Sequence, residues 1–419
     1  MADFPRLPPS GIKVIIVGAG FAGLTAAIEC DRKGHSVLLL DKAPDLQPLG
    51  DIISFGQNSS RFFAKWPGVQ EALTPLVHKS DVFHFHDWKG NFVTTQSFVE
   101  EHRTWGPRVN GHRGEIHQVV LKHARARGIE IRLGCNVVNY FETAEHAGVE
   151  LQSGERLTAD LVVAAEGVRS RGRKLVLGFE DKPQPSGYAV FRAWFPADEL
   201  LKNERTRHLV EKGDSHHGWI GQDVHFLSAA IKDGKEMSWV CTHKDDGSIE
   251  ENWQFPGRIE DVLRVVDGWD PVVVDLVKMT PPDRLFDYKL VFRDPLPTFI
   301  SPQARTVLIG DAAHPFLPTS IQGASQAMED GVVLAACLDK AGGKDKVQEA
   351  VRVWEKIRYE RVHKIQKTGV TTREQWHKAD WEAIWKDPQS LHLKREAWVL
   401  DFDCEADAYA SYDAVLGEL

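Results

Sequence analysis

Apolar positions along this chain follow two rhythms. Lys13–Val17 (KVIIV), HSVLLLDK, DLVVAAEGVRS and Val307–Ile309 are apolar with little interruption and rich in branched residues. Strands covered on both faces read this way, so these runs predict a buried parallel sheet. YAVFRAWFP, VHFLSAAIKD and EMSWVCTHKD instead alternate apolar and polar residues, as half-buried antiparallel strands do. NVVNYFETAEH and GVELQSGERLTAD also alternate and predict a hairpin pair. Helical stretches lie between them: LTAAIECDRKG up to the Gly34 stop, a short helix that Trp66-Pro67 ends, and an amphipathic helix after Gly114-Glu115. IEDVLRVVDGWDPVVVDLVKM predicts one or two helices laid on the antiparallel sheet. Another helix opens at Gly323, and Trp376, Trp381 and Trp385 predict one apolar face of a C-terminal helix.

Composition then narrows the class. At 419 residues the chain is long enough for two domains, or one large domain with a second inserted. A net charge of −9 with no compact basic block argues against a nucleic-acid partner, which needs a basic face. The short RGRK at 171–174 reads as a solvated turn. Cys30, Cys135, Cys241, Cys337 and Cys404 are far apart and lack CxxC spacing, which fits reduced thiols inside a cell. The start MADFPRLPPSG has no apolar signal core, and the longest apolar run is broken by glycines, so no membrane span is expected. A soluble cytoplasmic protein follows. His84 and His86 share a strand face, but without a third ligand nearby no metal site is expected. His216-His217 reads as loop, and His314 as a residue that fixes its loop.

Candidate chemistry sits at two glycine-rich strand-to-helix turns. Gly18, Gly20 and Gly23 form GxGxxG between a strand and a helix, and the next strand ends in Asp41, 23 positions after Gly18. Gly18 makes the tight turn, Gly20 admits a pyrophosphate close to backbone, and Gly23 lets helix pack on strand. The helix N-terminus faces the anion, and Asp41 accepts from ribose hydroxyls. NAD and FAD are not separated by this motif alone. The second turn, VLIGDAAHPFLPTSIQGASQAMEDG, brings Asp311 to the end of another buried strand and points a helix from Gly323 and Ala324 at the same crevice. Two such turns suit one extended molecule: a nucleotide half at the first, then a hydroxylated chain at Asp311 and an electron-rich ring edge at the second helix N-terminus. FAD has that shape.

GAGFAG (18–23), DLVVAAEGVRSRGR (160–173) and GDAAHPFLPTSIQGASQAMEDG (310–331), in this order, resemble the three motifs of single-component FAD-dependent aromatic monooxygenases of the para-hydroxybenzoate and salicylate hydroxylase type. NGHRGEIHQVVLKHA resembles that family's helix whose arginine, here Arg113, reaches the flavin, and VWEKIRYERVHKIQ its helix after the third motif. GDIISFGQNSSRFFAKWPG, GYAVFRAWF and WVLDFDCEADAYASYD look most like fungal secondary-metabolism members, indole oxidases of alkaloid pathways among them. The implied fold class is α/β: a Rossmann-like FAD-binding domain of glutathione-reductase type, an inserted antiparallel-sheet substrate domain and a C-terminal helical region. The boundaries expected are 10–185 for the first part of the FAD domain, with part of a substrate-side layer near 51–110. Residues 186–300 form the substrate sheet, 301–340 the return segment and 341–419 the C-terminal helices. Asp41 stands where the family usually has Glu, Glu166 where it has Asp, and Pro318–Gly323 departs from its usual Pro-Tyr loop. The first two changes keep the carboxylate; the third bears on substrate shape.

The resemblance implies non-covalent FAD, NAD(P)H as co-substrate, O2, and a small phenol-type or indole-type aromatic hydroxylated or epoxidised through a flavin C4a-hydroperoxide, in alkaloid or polyketide biosynthesis. Within the substrate strand, Arg192 shares a face with Tyr188, Val190 and Trp194. A core-facing arginine is costly unless paired or lining a wet pocket, whereas simple alternation could point it outward. Arg192 is therefore a candidate acid or substrate-positioning residue, and Asp51, in the loop after the second strand, a second catalytic candidate. A flavin dehydrogenase on the same scaffold, a flavin-fold escort protein without catalysis and a bare NAD-dependent dehydrogenase stay open as alternatives.

Overall fold

Each uninterrupted apolar run becomes a central strand. In the computed structural model, which describes residues 5–48, 50–179, 184–245 and 255–419, Lys13–Val17 lies between Ser36–Leu40 and Leu161–Ala164. Thr306–Leu308 and Glu130–Arg132 form the edges, and all four pairings are parallel. Leu161–Ala164 is buried throughout, as a strand sandwiched between helices must be.

The two glycine-turn helices, Phe21–Arg32 and Gly323–Ala341, pack directly on each other. A Cβ at Gly331 would lie 2.6 Å from the backbone nitrogen of Ala26, so glycine is what permits this approach. Both phosphate-type turns are thereby fixed to one block.

A seven-stranded sheet stands against it. Its order is Leu285–Phe292, Gln184–Pro196, Glu236–Lys244, Val224–Ile231, Ser215–Gly221, Val82–Asp87 and Phe92–Ser97. Only the contact between Ser215–Gly221 and Val82–Asp87 is parallel. Phe191, Ala193 and Phe195 point to a core shared with Trp219, Phe226 and Trp239 and covered by the helices Ile259–Val265 and Pro271–Lys278. The helices are two because Asp270 caps the second, accepting from Val272 N at 2.9 Å, with Pro271 as its first residue. Residues 246–254, inside the segment expected to form the substrate domain, and Leu49 lie outside the described residues.

Four local expectations need correction. The RGRK stretch is not a solvated turn: Gly172–Leu177 is a helix, and buried Arg173 donates from Nη1 to Ala312 O at 2.7 Å. The expected hairpin pair is a three-stranded sheet, Val137–Glu142, Ala147–Leu151 and Arg156–Ala159, because a turn with Gly154 at φ +89° splits the second segment. His216 and His217 lie in the strand Ser215–Gly221 rather than a loop, and His216 stacks on Phe83 with ring centroids 4.0 Å apart. The three tryptophans do not share one helix. Trp376 is buried at the end of Val347–His377, whereas Trp381 and Trp385 belong to a new helix, Trp381–Lys386, that Asp380 starts by accepting from Glu382 N and Ala383 N.

One buried charge cluster ties the long helix Val347–His377 to the second turn. Arg358 donates to Asp330 at 2.8 Å and to Glu329 at 2.5 Å, and Arg361 donates to Glu329 at 2.9 Å. Asp330 Oδ2 in turn accepts from Gly310 N at 2.8 Å and faces His314 Nε2 at 2.6 Å. Burial alone would push both carboxyls up; the charges of Arg358, Arg361 and His314 outweigh it and hold Glu329 and Asp330 below their ordinary values. Replacing Arg358 with Met should therefore strand two buried carboxylates and cost about 3–5 kcal/mol, read as a lower unfolding midpoint. The carboxylates' contribution is present above their unfolded values, about pH 4, and is lost as pH falls through the folded ones; R358M raises those folded values, so the stability gap between parent and variant should be widest near neutral pH and narrow as pH falls.

Candidate functional site

Both glycine turns open on one cavity of ≈1490 Å³ between the carboxyl ends of the parallel strands and one face of the seven-stranded sheet. That exceeds the few hundred to about 1,000 Å³ typical of a single drug-sized ligand. Of the residues singled out by sequence, Gly18, Gly20, Asp41, Asp51, Arg113, Arg192, Asp311, Gly323 and Ala324 line it, and Gly23 does not.

The first turn has distinct reasons for each glycine. Gly18 has φ +106°, and a Cβ there would meet the carbonyl oxygen of Ala165 at 2.3 Å. The first motif is thus pressed against the second, the strand end Ala164-Ala165-Glu166. A Cβ on Gly23 would strike Gly18 O at 1.9 Å, so Gly23 lets the helix sit against its own turn. Around Gly20 a Cβ would meet nothing within 4 Å: it borders open cavity. Asp41 Oδ2 accepts from Ala19 N at 2.7 Å and Oδ1 from Ala43 N at 2.8 Å, so the carboxylate orients the glycine loop as well as facing the cavity.

His117 was not singled out by sequence, yet its Nε2 lies 2.6 Å from Ala19 O on the same loop. The available signal was its spacing: four residues after Arg113, it occupies the same helix face. Glu166, in the second motif, accepts from Ser170 Oγ at 2.6 Å, and burial pushes its carboxyl up.

At the second turn, Gly310 at φ +58° reverses the chain after the strand, and Asp311 faces the cavity. Although open to the cavity, Asp311 is ringed by protein, and this enclosure raises its carboxyl pKa, with His314 and Arg113 opposing. The helix from Gly323 has no side-chain cap, so its first N–H groups are available beside the cavity.

Arg113 starts the helix Arg113–Ala126, its backbone N donating to Asp51 O at 2.8 Å. Burial lowers its pKa while Asp51 and Asp311 oppose. Arg192, 5% exposed, donates from Nη1 to Asp51 Oδ2 at 3.1 Å. It points into the cavity side of its sheet with Val190 and Trp194, not outward, and its guanidinium lies 5.7 Å from the Tyr288 ring centroid. Cross-strand neighbours Val240 and Leu227 continue its row as an apolar roof. The arrangement offers a long nucleotide slot ending under a flat roof with one ion pair.

These residues fit FAD: an open glycine for a pyrophosphate, a carboxylate at each strand end and an uncapped helix for a ring edge. The family described as "FAD binding domain" matches residues 11–365. Asperlicin C monooxygenase of Petromyces alliaceus is 37% identical, over 98% of this chain and 91% of that protein. The crystal structure of native FqzB superposes with a TM-score of 0.89 at 36% identity, covering 99% of this chain and 96% of that one. CtdE, solved with FAD and a substrate, gives 0.91 at 33% identity, covering 97% and 99%. Fungal relatives at this level are named as monooxygenases, not dehydrogenases or escort proteins. The chain belongs to the FAD-binding-domain family and, within it, to the FAD-dependent monooxygenases.

Proposed function

We propose that this monooxygenase hydroxylates or epoxidises an electron-rich aromatic small molecule, an indole-type or phenol-type ring, in fungal alkaloid or polyketide biosynthesis. The observation that carries the reading is the Arg192–Asp51 pair, set in a largely apolar roof opposite the second glycine turn. The name notoamide E oxidase, of an Aspergillus versicolor relative 33% identical over 97% of this chain, adds support for a secondary-metabolite substrate.

Gly18, Gly20 and Asp41 hold the adenosine diphosphate half of FAD, with Gly23 packing the helix behind them. Asp311 binds the sugar-like chain, Arg113 the flavin, and the first N–H groups at Gly323 and Ala324 the ring edge. When bound there, FAD would supply hydride acceptance from NAD(P)H and activation of O2. The protein's own part begins with the helix N-terminus at Gly323, whose positive end favours the negative charge gained on reduction. The apolar roof excludes water and lays the substrate ring flat. Arg192 hydrogen-bonds the oxygen arriving on the ring, and Asp51 holds its guanidinium in place. For an indole, that contact stabilises negative charge as the new oxygen bridge opens. The five free cysteines fit a cytoplasmic setting.

Labelled dioxygen supplied with candidate indoles and phenols tests the reaction: label should enter the product with NAD(P)H consumed, and an unlabelled product would sink the reading. Gly20→Val should fold normally, because its side chain meets open space, yet purify without yellow flavin and bind added FAD at least about 100-fold more weakly. A variant as yellow as the parent would remove Gly20 from the cofactor site. Arg192→Met should keep its flavin but lower the rate of product formation by about 10²–10⁴. A product-formation rate within twofold of the parent would exclude a catalytic role for Arg192.

A further inference from the structure

The strand Val109–His112 and the residue before it place Arg108, Asn110 and His112 along the cavity wall at every second position. His112 lies near the Arg192 end, its ring centroid 4.8 Å from that of Trp194. Arg108 therefore marks the opposite end, beside His78 and His216, which also line the cavity. Across the sheet, the row Trp194–Ser238–Ala229–His216 leads there. Three strand spacings separate the Arg192 strand from the His216 strand, about 14 Å. A single phenol or indole ring does not fill that length.

Arg108 is built into this far end as a cation with no carboxylate in hydrogen-bond contact among the described residues. Its guanidinium lies over Phe98, 3.8 Å from the centroid, and Nη2 donates to Ser80 O at 3.2 Å. Nε donates to the Asn110 side-chain oxygen at 3.3 Å when that amide is oriented to satisfy its neighbours. Among the described residues Nη1 has no hydrogen bond. The two acids whose charges favour it make their close contacts elsewhere: Glu101 accepts from Arg395 Nε at 2.8 Å, and Asp81 lies 2.6 Å from Nδ1 of His102, whose pKa burial lowers. Arg395 adds a second positive charge at the same wall and is held there by Glu101 and by Gln57 at 3.3 Å. Burial and the Arg395 charge push the Arg108 pKa down to about 10, so it stays cationic at neutral pH. Arg108 is half-buried and lines the cavity, so its remaining Nη1 donor can reach a bound molecule.

We propose that Arg108 determines substrate specificity: it binds a carbonyl or carboxylate oxygen that the aromatic substrate carries about 14 Å from the Arg192 end of the chamber. The substrate is then an extended molecule with its oxidisable ring at one end and an oxygen acceptor at the other. This deepens the aromatic-substrate reading above and rests on it for the identity of the ring.

The test uses the FAD-loaded full chain and three series of probes: ω-(indol-3-yl)alkanoic acids of increasing chain length, their primary amides, and matching 3-alkylindoles. Dissociation constants come from perturbation of the bound-flavin absorption, so the result does not depend on turnover. At one preferred chain length the parent should bind acid or amide about 10- to 100-fold more tightly than the alkylindole. R108M should lose that preference while retaining a flavin-bound spectrum, and R108K should recover part of it. Acid tighter than amide identifies a carboxylate ligand; equal binding identifies a carbonyl. No preference in the parent at any length, no spectral response to any acid or amide, or the same preference in R108M would overturn the proposal. If binding follows the expected pattern but no probe stimulates NAD(P)H oxidation, the ring assignment fails and the Arg108 assignment stands.

Discussion

Asp330 is the side chain on which the geometry of this site depends. It is buried in the middle of the helix Gly323–Ala341, and its carboxylate is shared between Gly310 N, His314 and Arg358. A carboxylate at that depth is stable only because each oxygen is met by a donor. Gly310 N belongs to the turn that presents Asp311, so one buried group fixes the strand end, the loop and the long C-terminal helix together. The close contact at Gly331 and Ala26 then locks this assembly to the first glycine turn. Two distant stretches of chain become the two ends of a single slot.

Function follows from what that block leaves open. The parallel sheet supplies two turns with accessible backbone N–H groups, and the seven-stranded sheet supplies a roof whose apolar residues are interrupted by Arg192, Ser228, Ser238, Thr242, His216 and His225. Asp51 joins the two halves: its carbonyl accepts from Arg113 N at the start of the helix Arg113–Ala126, and its carboxylate accepts from Arg192 on the seven-stranded sheet. The candidate reacting position lies between layers, where neither part of the fold alone would place it.

The glycine turns and their carboxylates were legible in the sequence because their chemistry requires fixed residue types at short spacing. Gly23 and Asp41 each meet a backbone atom of the same short turn, so local pattern carries the constraint. The Arg192–Asp51 contact joins positions 141 apart, and no local rule pairs them; only the oddity of an arginine in an apolar strand pointed to the site. The Glu329–Asp330–Arg358 cluster was not legible, since charged residues in a helix ordinarily read as its solvated face. His216 and His217 were misread for a related reason: the residues just before them are polar, and one edge of their strand is held by a segment more than a hundred residues earlier. The tryptophans failed at Asp380, where a capping side chain ended a pattern that periodicity alone would have continued.

The most direct measurement is a crystal structure of this protein grown with FAD. One FAD molecule should appear with its ribose at Asp41, its pyrophosphate over Gly20, and its ring edge against the N–H groups of Gly323 and Ala324 beneath Arg192. A flavin ring bound away from the Gly323 helix, or a nucleotide confined to the first turn, would contradict it.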